Sequence, residues 1–424
     1  MTASQPLTDH DSGLALDHAQ ALLRALGVTG KPCPLAHHPA LAWRRSGLMA
    51  LSGHPESRGL VCPVPLTSAA DGALAALRAL APDALLPQNA AALLGERARL
   101  LGLSRHGAIS ANLSCRLLAA RDGYVALNLP RADDWELLPA LLEQAVDDWD
   151  GVECCVRDWA SSALVARGRL MGMAIAESRA MSPPDAPFIL QRFAPPRPRS
   201  AVSPVVLDLS SLWAGPLAAS LLAFAGAEVV KVESSRRPDG ARLGHAGFYA
   251  LLNGMKESVS LDFRNTADLA RLREMVDQAD IVIEGSRPRA LEQLGIRAET
   301  VAARGGTWVS ITAHGRSGEC AGHIGFGDDA AIAGGLGEAM RAGWGETLFA
   351  GDAIADPLAG ITAALAGWAD WWRGGGSLVA VSLAGVVAHA CALPSAEPQM
   401  LRSWQAFAET DTAPLYPLRP SSSG

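Results

Sequence analysis

Apolar positions recur at helical spacing from Leu14 to Leu26, again from Ala69 to Leu80 (AADGALAALRAL), and again from Ala90 to Leu103. Each run predicts a helix with one buried face. From Cys115 the pattern shortens. CRLLAARDGYVALNL holds two apolar runs around Arg121-Asp122-Gly123, which predicts a β-hairpin. Helices are expected from Asp133 to Leu142 and from Ser161 to Gly168, so residues up to about Ala180 read as a mixed α+β unit. Met181 to Pro204 then carries Pro183, Pro184, Pro187, Pro195, Pro196, Pro198 and Pro204, with Arg192, Arg197 and Arg199 between them. Proline this dense predicts a stiff extended connector without regular helix or sheet.

Beyond it the period alternates. VVLDL, AEVVKVE, SVSLDF, DIVIEG and TWVSITAHG read as short buried strands. Helical stretches lie between them: AGPLAASLLAFAG, Ala267 to Gln278, and Pro288 to Leu294. Strands spaced by helices of this length predict a parallel sheet covered on both faces. The expected fold class is α/β: a Rossmann-like parallel-sheet large domain in the C-terminal half, with a smaller α+β domain in the N-terminal half. The expected limits are 1–180, a linker at 181–204, 205–395, and a tail at 396–424. Ligands of such sheets bind at the carboxyl ends of strands. That singles out the loops Leu212–Pro216, Glu233–Arg242, Glu284–Pro288 and Ala313–Gly318. Neither GxGxxG nor a P-loop follows a strand, which counts against NAD and ATP.

One stretch organises the rest: GDAIADPLAGITAALAGWADWW, Gly351 to Trp372. Asp356 precedes Pro357 and a long Ala/Leu-rich run, which is how a helix start is written. A carboxylate there would accept backbone N–H bonds, stay ionised and point outward, as suits a nucleophile. The plain alternative is a helix cap. If Gly72 is set against Gly360, Asp356 falls on Ser68. This reads as a weak internal repeat whose first copy has lost the acid, although Ala/Leu-rich helices also resemble one another by composition.

Composition narrows the classes. The 424 residues are 49% apolar and 19% charged, which describes a globular chain. A net charge of −7 without a Lys/Arg run argues against nucleic acid as a partner. Seven cysteines without a CxxC pair suggest a reduced, cytoplasmic compartment. MTASQPLTDHDSG shows no leader pattern, and Leu358 to Trp372, interrupted by Asp370, is too short to span a membrane. His37 and His38 lack companions at ligand spacing, so no metal is expected.

The strand ends spell an ordered series: LDLSSLWAGPLAASLLAFAGAEVVKVE, PDGARL, NGMKESVSLDF, ADIVIEGSRPRALEQLGI, VSITAHGRSGE, DPLAGITAAL and GSLVAVSLAG. The series resembles the class III CoA-transferase (CaiB/BaiF) family over roughly Val205 to His389. DGYVALNL resembles the family's small domain, which here precedes the large domain instead of following it. The resemblance implies a homodimer and a cytoplasmic enzyme of acyl-CoA metabolism. Its substrates would be an acyl-CoA and a carboxylic acid, with coenzyme A as the transferred group and no permanently bound cofactor. Asp356, in a D-x-x-x-G pattern with Gly360, matches the family's nucleophile. It would form a mixed anhydride with the acyl group and then an aspartyl-CoA thioester. For CoA itself the resemblance points to Leu261, Asp262, Gly285, Ser286 and Ala290. Lys231, Arg242, Lys256 and Arg287 could meet the phosphates, or be solvated surface charges, the reading that weighs more for Lys256.

Departures are also visible. Ser234 stands where many members have a basic residue, and Trp213 where some transferases have Gln. A shielding glycine-rich loop has its nearest counterpart in Ala111 to Ser114. A second branch of the family epimerises 2-methylacyl-CoA esters with a G-H-D motif. Here that stretch reads GFGDDAAIAGG, leaving Asp328 and Asp329 as substitutes, with His323 near. A degenerate, non-enzymatic CoA-ester binder is the third alternative.

Overall fold

The computed structural model describes residues 9–34, 37–198 and 202–420. Residues 1–8 of the stretch read for a leader, and Arg199 of the proline-rich stretch, lie outside the described residues. Among the described residues ten strands form two sheets. The smaller is antiparallel: β1 (Cys115–Ala120), β2 (Gly123–Asn128) and β3 (Ala174–Ser178), in that order. The β1–β2 hairpin closes with Ala120 opposite Gly123, around the expected Arg121-Asp122 turn.

The larger sheet comprises β4 (Ile189–Arg192), β5 (Val205–Leu209), β6 (Glu228–Ser234), β7 (Glu257–Leu261), β8 (Ile281–Glu284), β9 (Thr307–Thr312) and β10 (Ser377–Ser382). Its order is β4-β10-β9-β8-β5-β6-β7. All pairs are parallel except β4 with β10. From β5 onward this is the doubly wound order, in which direction reverses between β5 and β8 and leaves a crevice at their carboxyl ends. Every residue of β8 is buried. That is why IVIE reads as a continuous apolar run, as a strand covered on both faces must.

β4 corrects the reading of 181–204 as a connector free of sheet. Prolines flank this strand but none falls within it, and an edge strand needs few free donors.

The Ala355–Trp372 helix lies under β9 and β10, packed against the Ala214–Phe224, Leu66–Leu80 and Leu383–Cys391 helices. From Ala355 to Trp371 every residue is buried except Asp356. The close approach depends on small residues. A Cβ at Gly360 would stand 2.6 Å from the Ala214 carbonyl oxygen, and one at Gly72 would stand 2.7 Å from that of Ala15. The two glycines of the suspected repeat thus serve the same purpose, each seating its helix against the backbone of an earlier one.

The expected boundary does not separate two cores. One apolar cluster joins Leu22, Leu74, Leu77 and Leu94 of the N-terminal helices to Leu217, Ile281, Val309 and Leu365 of the large domain. The three-stranded sheet has its own cluster, including Val125, Leu141, Val152 and Ile175. The part from about Cys115 to Ser178 thus has a core of its own on one face, while its other face packs Cys115, Leu117 and Ala126 against Ile332 and Phe349. The reason is physical: the early helices cannot bury their apolar faces on each other alone.

Residues 396–420, within the expected tail, also pack on this body. The Pro398–Thr410 helix buries Leu401 and Trp404 in the main cluster. Beyond it the Tyr416 N–H donates to the Arg45 carbonyl oxygen at 2.7 Å, and the Arg419 guanidinium pairs with Glu96 at 2.6 Å.

Candidate active site

The Ala355–Trp372 helix begins one residue before Asp356. Ile354 is its cap, without a side-chain bond, so Asp356 sits at the second helical position and is not the expected capping residue. Among the described residues its carboxyl oxygens receive no hydrogen bond. The turn that delivers it is strained: Ala353 has φ +41°, a region costly for a residue with a Cβ. Strain is held where surrounding contacts over-determine it. Here the Ala353 N–H donates to Asp328 Oδ1 at 2.8 Å. Gly327 presses against the same turn; a Cβ there would be 2.3 Å from both Asp356 Oδ2 and the Ala353 carbonyl oxygen.

Asp356 opens into a cavity of about 300 Å³. One wall is aromatic: Trp213, Phe248 and Phe326. Another comes from the N-terminal half: Arg97 and Leu101 of the Ala91–Leu101 helix, Asn112 and Ser114 before β1, and Asn128 at the end of β2. Leu212, a second left-handed non-glycine residue (φ +69°), also lines it.

Four carboxyls crowd this end of the molecule. Asp352 accepts both Arg97 Nε at 2.8 Å and Arg97 Nη2 at 2.6 Å, while the guanidinium lies 4.9 Å from the Trp213 ring centre. Asp328 accepts from Asn112 Nδ2 at 2.8 Å. Asp329 Oδ1 accepts from Asn128 Nδ2 and from the Phe326 N–H, both at 2.9 Å. Its Oδ2 is buried without a partner. Burial pushes the Asp356 carboxyl up to about 7; Arg97 pulls it down, and Asp328, Asp329 and Asp352 push it further up. Burial likewise raises Asp329 to about 7 and Asp328 to about 6. Near neutral pH, Asp356 is thus a half-buried carboxyl balanced between its two forms, and its anion has no donor to blunt it.

The other sequence candidates do not join Asp356 in the cavity. Lys231 is buried, 3.0 Å from Asp239 and donating to the Ser210 carbonyl oxygen at 2.9 Å, so it has no free face for a phosphate. Lys256 is not a solvated charge: it is buried on Asp208 at 2.8 Å, the Pro216 carbonyl oxygen and Asn253. These two pairs tie down the 210–213 and 239–245 loops that border the cavity. Arg242 pairs with Glu233 at 2.5 Å and stacks on Tyr249 at 4.5 Å, while its neighbours Ala241 and Gly244 line the cavity. Leu261 is buried at the end of β7. Asp262 holds Arg236 at 2.9 Å on the surface. Gly285, Arg287 and Ala290 are exposed after β8, and Ser286 has a buried Oγ without a partner.

Asn112 and Ser114 fall in the Ala111 to Ser114 stretch singled out above, whereas Arg97 and Asn128 are the residues sequence reasoning missed. Asn128 had a signal, being a polar residue closing a buried apolar strand. Arg97, in a helix whose Glu96 pairs elsewhere, had none. Among the described residues no group of three or more His, Cys, Asp or Glu is arranged to hold a metal ion, and no helix is long and apolar enough to cross a membrane.

Residues 204–410 match the profile described as CoA-transferase family III. The match takes in just under half of the chain. The chain is 33% identical over 155 residues to succinyl-CoA--D-citramalate CoA-transferase of Chloroflexus aurantiacus, covering 34% of this chain and 36% of that protein. It is 30% identical over 173 residues to succinate--glutarate CoA-transferase of Agrobacterium fabrum, covering 37% and 43%. It is 32% identical over 104 residues to acetyl-CoA:oxalate CoA-transferase of Acetobacter aceti, covering 23% and 27%. The chain thus spans well under half the length of each of these relatives. A solved structure of a CAIB/BAIF family protein from Brucella suis aligns with TM-score 0.39 and 25% identity, covering 44% of this chain and 54% of that one. Asp328 and Asp356 lie inside the family-matched region; Arg97, Asn112, Ser114 and Asn128 lie outside it.

Proposed function

We propose that this protein moves coenzyme A from an acyl-CoA thioester to a carboxylic acid, with Asp356 as the nucleophile. The observation that carries this reading is one carboxyl without a hydrogen-bond donor, on the single residue of its helix that lines the cavity of about 300 Å³. The names of the matched relatives, all CoA-transferases, support it.

An Asp356 oxygen attacks the thioester carbonyl carbon, the C–S bond breaks, and CoA leaves as a thiolate. The thiolate then attacks the aspartyl carbonyl of the mixed anhydride. The donor acid departs as a carboxylate, and CoA is left on Asp356 as a thioester. An acceptor carboxylate repeats the sequence in reverse, restoring Asp356. Two steps of moderate barrier replace a direct exchange. Arg97 favours the anionic form that must attack. For the distant end of CoA, the exposed Gly285–Arg287 turn and Ala290 at the β8 carboxyl end are the proposed handle, with Arg287 meeting phosphate.

Incubation with an acyl-CoA followed by hydroxylamine should mark Asp356 in a peptide mass spectrum. An unmodified Asp356 alongside full turnover would falsify the assignment. A second reading has one observation in its favour: Asp328 and Asp356 line the same cavity, as an acid and base working at one α-carbon would. It requires solvent deuterium to enter that carbon, which CoA transfer does not.

A further inference from the structure

The cavity is lopsided in charge. Among the described residues Arg97 is the one Lys or Arg lining it, and its Nε and Nη2 are already held by the buried Asp352. Trp213 covers the guanidinium. Asp328 and Asp356 line the same space, with Asp329 directly behind. Apart from a few amide, hydroxyl and imidazole groups, the rest of the wall is apolar, chiefly Leu101, Pro130, Leu212, Phe248 and Phe326.

Resting on the transferase reading above, we propose that the acids this site exchanges are monocarboxylic, with an uncharged far end. The citramalate, oxalate and glutarate in its relatives' names each carry a second carboxylate. Such a group would enter a space where carboxyls outnumber cations and the one guanidinium is already neutralised. A second carboxylate there loses its water without gaining a free cation, and any ionised Asp328, Asp329 or Asp356 repels it. An uncharged chain instead gains from burial against the aromatic wall. The family-matched region alone would not reveal this, because Arg97 lies outside it.

Butyryl-CoA and succinyl-CoA test the proposal. They share the CoA portion and chain length, and differ by a terminal methyl against a carboxylate. Calorimetry on the full chain should show butyryl-CoA binding about tenfold or more tightly, since each tenfold step corresponds to about 1.4 kcal/mol. Equal or tighter binding of succinyl-CoA overturns the proposal. Mass spectrometry of CoA transfer to butyrate and to succinate runs alongside. If butyryl-CoA binds preferentially but CoA moves to neither acid, the transferase reading fails while the preference for an uncharged end stands. If neither ester binds, both fail. Asp352→Asn releases Arg97 from its partner and should narrow the preference by strengthening succinyl-CoA binding. Retained butyryl-CoA binding shows that the variant is folded, and an unchanged ratio in that folded variant removes Arg97 and Asp352 from the explanation.

Discussion

At the scale of the residue, Asp356 combines partial burial with the lack of any donor. Its carboxyl is raised from the ordinary 3.8 to about 7, chiefly by burial. In the proposed mechanism only the anion attacks. The rate of acylation should therefore climb as pH rises through about 7 and level off above it, as read by rapid-mixing release of CoA thiol; a flat rate between pH 5 and 8 is the contrary result. The same shift has a stability cost with a definite sign. The folded state holds the proton more tightly than the unfolded one, so the penalty is absent below the ordinary value, grows as pH rises, and is complete above about 7. Asp356→Asn should stabilise the protein at pH 8, by about 1–3 kcal/mol, and change little at pH 4, as followed by urea unfolding.

Asp356 could be found from sequence because its signal is local, an acid at a helix start. Lys231 and Lys256 were misread because their partners, Asp239 and Asp208, lie on other segments. A cation looks the same in sequence whether it meets water or a buried carboxylate. Arg97 lies 255 residues from Asp352, and no short-range pattern reports such a pair.

At the scale of the element, the turn before the Ala355–Trp372 helix and the glycine seat beneath it set where Asp356 stands. Ala353→Gly should relieve the left-handed strain and raise stability by about 1 kcal/mol, while lowering turnover because the turn loosens; thermal unfolding and steady-state rates check the two halves. Gly360→Ala should destabilise by about 1–3 kcal/mol, because its methyl would have to displace the Ala214 backbone and part the two helices. The parallel strands were legible because strands buried on both faces repeat an apolar signature. The sheet order was not, since register and neighbours come from packing. β4 was hidden by the prolines on either side of it.

At the scale of the molecule, the N-terminal helices and the large sheet share one core, and the cavity has walls from both. A fragment starting near residue 202 should therefore fail to unfold cooperatively, as circular dichroism during heating would show; a sharp transition in that fragment would contradict the shared core. The sequence pattern located both halves but not their joint interior, because an apolar helix face does not say which surface will cover it.

The last described residues reach back to the helix that carries Arg97, where Arg419 grips Glu96, the neighbour of that arginine. Arg419 thus works as a buckle on the helix whose Arg97 lines the cavity. Losing the Arg419 side chain would slacken, from outside, a wall of the cavity that Asp356 faces.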